Sequence, residues 1–170
     1  MKKILFILIG LIMVPLQSQD IVIPPFLEKW ENSKTYLVAI AEAMPSEKYD
    51  FKPTERQKSF QDQLLHINSN MEWLGSTYFG DPIAKKDKIN HSKSSKEETI
   101  QLLKDGFDEV SVLLKNIPVD ALVEKVQFFA GEKTKLQILN LLQDHVTHHR
   151  GQLIVYLNLN NIEPPKYVGW

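Results

Sequence analysis

"DHVTHHRGQLIVYL", residues 144–157, holds three of the chain's five histidines. Leu142, His145, His149, Gln152 and Tyr156 recur by steps of three and four, so they share one stripe of a helix. His148 lies about 100° round the helix from His149 and points elsewhere. The helix opens at Thr134, where Gln137 completes a capping box. It runs to about Asn160, and Pro164-Pro165 bars further helix. What this stripe faces depends on the rest of the chain.

Working backwards, three more segments carry helical periodicity. One opens on the capping box Ser95 to Glu98 and buries Ile100, Leu103, Phe107, Val110 and Leu114, with Pro118 beyond its end. Another begins near Ser59, carries Phe60, Leu64, Ile67, Met71, Leu74 and Tyr78 on its apolar stripe, and ends around Gly80-Asp81-Pro82. The first runs from about Phe26 to Met44, with Pro24-Pro25 at its entrance. The joining stretches differ in kind. "PSEKYDFKPTERQKS" has prolines that interrupt helix, so it reads as a loop or extended crossover. "IAKKDKINHSKSS" is lysine-rich and reads as the mobile loop, with His91 simply solvated. "VEKVQFFAGEKTK" reads as a brief hairpin or extended strap turning at Gly131. Its Gly-Glu-Lys-Thr lacks the earlier glycine and the Gly-Lys order of a phosphate loop.

Four amphipathic helices joined by loops predict an all-α four-helix bundle, a fold that builds metal and cofactor sites between facing helices. The chain has 170 residues, 43% hydrophobic and 24% charged, which fits one globular domain with a real core. A formal net charge of −1 offers no basic footprint, so nucleic acid is not an expected partner.

The N-terminus is read separately. Lys2 and Lys3 precede an apolar run from Ile4 to Val14, the pattern of a secretory signal over residues 1–19, with the bundle over 24–168. The run is short for a membrane span. Ser18 suits the position before a cut, while Leu16 departs from the small residue expected two earlier. The alternatives are an exported chain, periplasmic or extracellular after cleavage, and a membrane-anchored one if the segment is kept. There is no cysteine, so neither a disulfide nor a cysteine-linked lipid is available.

His145 and His149 stand one helical turn apart, a spacing that lets two imidazoles converge on one ion. His66, among Leu64, Leu65 and Ile67 on the second helix, is the candidate third ligand. Three neutral imidazoles would leave coordination positions for water or substrate. Asp62, one turn before His66, and Asp144, beside His145, are available to orient the rings. Plainer readings stand beside these. A lone buried histidine is ordinarily a hydrogen-bonded core residue, and a histidine pair without other ligands is a moderate signal. Gln152 and Tyr156 also suit plain packing, Trp30, Trp73 and the phenylalanines read as core, and Asp62 and Glu72 as solvated.

"DHVTHHRGQLIVYLNLNNIEPPKY" resembles the fourth-helix signature of the DinB-like (DinB/YfiT-like) family. "AMPSEKYDFKPTERQKSFQDQLLHI" resembles that family's stretch around its first ligand histidine. The likeness spans about Phe26 to Tyr167. It implies a four-helix bundle with a three-histidine divalent metal site made by His66, His145 and His149, with zinc or nickel as the expected ion. His148 and Arg150 match neighbours of the ligands, and Gln152 matches the glutamine after Arg-Gly. Asn158 departs from a frequent arginine, and Asn161 from a frequent glycine. The resemblance implies a metal-dependent hydrolase or thiol transferase acting on a small molecule not yet named, with room for a homodimer. The alternative is a non-catalytic metal-binding or stress-related interaction module. No catalytic base can be named.

Overall fold

The computed structural model describes residues 19–80, 94–118 and 120–170. Four helices dominate: α1 (Gln19–Ala43), α2 (Phe60–Tyr78), α3 (Lys96–Lys115) and α4 (Lys135–Leu159). Each of α1 and α2 packs against both α3 and α4, so α1 and α2 face each other across the bundle diagonal. The predicted all-α bundle is what forms. The signal segment and His91 lie outside the described residues, and among those described no helix is long and apolar enough to cross a membrane.

The helix starts follow from their caps. Ser95 and Thr134 accept from the backbone N–H groups of Glu98 and Gln137, and those side chains reach back, as the spacing predicts. A third box joins Ser59 and Asp62 at the start of α2. The linker before α2 is built to seat that start. Its 3₁₀ turn, Ser46–Lys48, brings Tyr49 and Phe51 back so that their carbonyls accept from Gln61 N (2.9 Å) and Phe60 N (3.0 Å). The first N–H groups of α2 therefore all have partners, which fixes where His66 points one turn later.

One boundary differs from expectation. α1 begins at Gln19, so Pro24 and Pro25 lie inside it instead of at its entrance. The hydrogen bonds they remove fall in the helix's first turns, and Ile23, Trp30 and the residues beyond anchor it in the core.

α4 ends in a complete Schellman motif: Ile162 N donates to Leu157 O and Asn161 N to Asn158 O, each at 3.0 Å. Asn161 sits at φ 56°, the left-handed position. Glycine takes that conformation without a Cβ penalty and asparagine tolerates it well, so the Asn161 departure keeps the cap. Between α3 and α4, the residues around Gly131 (φ 90°) form the expected hairpin, Lys125–Val126 paired antiparallel with Lys133–Thr134.

Candidate metal centre

α2 and α4 run antiparallel, and their contact places the three predicted histidines together. His66 Nε2 stands 3.2 Å from His145 Nε2. The rings of His66 and His149 are 4.6 Å apart, and those of His145 and His149 are 4.5 Å apart. One ligand-capable nitrogen from each lies within 4.8 Å of the other two, so this group could hold a metal ion. Two nitrogens bound to one tetrahedral zinc at its usual bond lengths stand about 3.3 Å apart, close to the His66–His145 separation.

The donors are also in the right protonation state. Burial lowers the pKa of His145 and of His149 to about 4, and the neighbouring imidazoles add to both shifts. His66 is lowered too, first by burial and then by Lys58. All three are neutral near pH 7, with lone pairs available to an ion.

An amide orients His149. Its Nδ1–H donates to Gln63 Oε1 at 2.7 Å, which leaves Nε2 as the free lone pair. Gln63 is itself held at its other end. Its Nε2 donates to Gln152 Oε1 (2.6 Å) and to the Tyr156 hydroxyl (3.3 Å), and that hydroxyl donates to Lys58 O (2.9 Å). Gln63 is 2% exposed and Tyr156 3%, so the middle of the relay is buried, where each bond counts. His145 differs: its Nδ1 is buried with no hydrogen-bond partner among the described residues.

The carboxylates expected beside the rings are not there. Asp62 caps α2 and is exposed, and Asp144 is exposed on the outer side of α4. Gln63 is the residue that sequence reasoning missed. Three positions before His66, it shares that histidine's face, which was the available signal. Gln152 and Tyr156, which suited plain packing equally well, belong to the relay. His148 is exposed yet sits at the rim, its Nε2 accepting from Gln152 Nε2 at 2.9 Å. Arg150 faces α1, lying over the Tyr36 ring at 5.1 Å and donating to Ser33 Oγ at 3.4 Å. It is a neighbour of the site, not part of it.

Residues 17–167 match the DinB family. The chain belongs to that family. Among DinB-like relatives, it is 25% identical over 136 residues to the uncharacterized protein YjoA of Bacillus subtilis, covering 75% of this chain and 84% of that one. The crystal structure of YjoA superposes with a TM-score of 0.69 at 19% identity, over 84% of this chain and 96% of that one. A DinB-like protein from Bacillus cereus superposes at 0.72 and 15% identity, over 85% and 97%. These likenesses carry the DinB fold.

Two predictions arise here. In the protein without bound metal, acidification should lower the thermal midpoint as pH falls from about 6.5 to about 4. In that window the unfolded chain takes up protons that folded His145 and His149 refuse. Above it both states are neutral and stability is full; below it the loss is complete. Melts across that range should show the slope, and His145→Gln should flatten it. Second, Gln63→Leu should weaken zinc binding about 10- to 100-fold, while Gln63→Glu, which keeps an acceptor, should not. A competition titration with a zinc chelator reads both; equal affinities for Leu and wild type would remove the orienting role.

Proposed function

We propose that this chain is an exported metalloenzyme of small-molecule chemistry, with His66, His145 and His149 holding a zinc or nickel ion. The observation that carries the reading is the convergence of three neutral imidazoles from two helices, one of them fixed in its tautomer by Gln63. Neutral ligands leave the ion's charge undiminished, so the group would supply Lewis acidity to a bound water or thiol. That chemistry fits a metal-dependent hydrolase or a thiol transferase. The chain's own contribution is positional. α2 and α4 hold the imidazoles at one point, Gln63 and Tyr156 keep His149 in one orientation, and the packed interior behind them keeps water to the open side.

A second reading has its own support. The candidate ligands come from both α2 and α4, so an ion there would staple two helices and add folding energy without catalysis. Export rests on Lys2, Lys3 and the apolar run after them. N-terminal sequencing of the mature chain tests it.

Metal content of the untagged protein decides the central claim. About one equivalent per chain, as purified or after incubation with zinc or nickel, supports it. None under either condition overturns it. Turnover of thiol-transfer or ester substrates by the loaded protein then separates the enzyme from the staple.

A further inference from the structure

Aromatic rings gather where α2 ends and the hairpin begins. Trp73 stacks on Phe128 (centroids 5.9 Å apart, planes 21°) and on Phe129 (6.3 Å, 27°). Tyr78 closes against Trp73 and Phe128, and its hydroxyl donates to Gln127 O at 3.4 Å. Fastening the hairpin to α2 accounts for Tyr78 and Phe128, which packs on the core. It does not account for Trp73 at 41% exposure or Phe129 at 83%. Trp73 was expected in the core; instead two large rings are held nearly parallel and open to water.

The cluster lies in line with the histidines. His66, Asn70 and Trp73 stand at i, i+4 and i+7 on α2, one face of the helix. Trp73 is therefore two turns, about 10 Å, along α2 from His66. On the antiparallel α4, Leu141 precedes His145 by one turn and is 36% exposed. Between rings and histidines, Asn70 Oδ1 is buried with no donor among the described residues. A buried carbonyl oxygen without a donor is costly; Asn70 is only half-buried, so its amide can turn outward to meet a ligand N–H or O–H.

We propose that this strip is the substrate groove. Trp73 and Phe129 take an aryl group, Asn70 accepts from an amide or hydroxyl in the middle, and the polar head ends at His66, His145 and His149. The substrate class is then a small aryl-bearing amide or related compound. Only the last part, the head at the histidines, rests on the metal reading.

Three probes separate the claims. Acetohydroxamic acid and 4-phenylbutyrohydroxamic acid share a metal-chelating head, and only the second carries a ring on a spacer. Calorimetry on zinc-loaded protein should show the phenyl compound binding at least about ten-fold tighter, since ring burial against aromatic faces is favourable. Phe129→Ala, at a position 83% exposed, should remove part of that gain. Trp73→Ala/Phe129→Ala should remove most of it, the loss falling on the phenyl compound and not on acetohydroxamic acid. Equal affinity for the two hydroxamates, or a gain that survives the double substitution, overturns the groove. If the protein takes up no zinc, the metal reading fails separately and 4-phenylbutanamide, which has no chelating head, decides. Saturation transfer from protein to its phenyl protons, lost in the double variant and weakened in Asn70→Ala, supports the groove; no transfer overturns it.

Discussion

Replacing His145 and His149 together by alanine is expected to abolish metal binding, with affinity falling on the order of 1000-fold or more. Removing one partner that merely orients a ligand costs about 10- to 100-fold, and here two of three candidate donors go. His148→Ala should retain the metal, because His148 is exposed and bonds Gln152 at the rim. The contrast matters because all three sit within one helical turn. A loss shared by His148→Ala would mean that the helix binds metal through any nearby imidazole. Stability gives a second readout. A ligand at about 100 times its dissociation constant stabilises the fold by about 2.7 kcal/mol. For a domain of this size that raises the thermal midpoint by roughly 5–11 °C. The wild type should show this rise with zinc and the double variant should not. The double variant also leaves buried Gln63 Oε1 without its donor, so some loss of metal-free stability is expected, about 1–3 kcal/mol. Circular dichroism at low temperature checks that it still folds.

The parts of this site that were legible in sequence are those with a local signature. Histidines one turn apart announce a shared face, and a third among leucines on another helix announces a facing position. Capping boxes at Ser95 and Thr134 fixed two helix starts. The box at Ser59 is masked by competing readings: Asp62 reads either as an aid to the rings or as a solvated carboxylate, when it is committed to the backbone N–H of Ser59. Gln63 was hidden because an amide carries no charge and no characteristic spacing; only its place three residues before His66 marked it. Neighbour relations were not legible either. An amphipathic stripe says that a helix buries a face but not against which partner. So nothing local told that α1 and α2 would lie across the diagonal. Trp73 shows the same limit. Its ring is as apolar as that of Trp30, but it lies on the histidines' face of α2 beside the hairpin, where no helix covers it fully.

Trp30→Ala is expected to cost about 3–5 kcal/mol, the range for deleting a large buried aromatic side chain. Trp30 is fully buried between Phe26 (5.5 Å, stacked) and Phe107 (4.6 Å), at the contact of α1 with α3. Its Nε1 donates to Phe107 O at 3.0 Å. Two causes could underlie the loss, and Trp30→Phe separates them. Phenylalanine keeps most of the ring packing but removes the donor. Phe107 O is not orphaned by this, since Ser111 Oγ also donates to it at 3.0 Å. The Phe variant should therefore lose only about 1–2 kcal/mol, chiefly from the smaller ring. For a domain of this size the midpoints should fall by roughly 6–20 °C for Ala and 2–8 °C for Phe. Similar losses in both variants would place the energy in the hydrogen bond instead of the packing. Zinc affinity measured well below either midpoint should match the wild type, because the histidines sit at the α2–α4 contact while Trp30 braces α1 against α3. A parallel drop in zinc affinity would mean that the brace and the site are coupled, with α4, which α1 also touches, as the element that transmits the change.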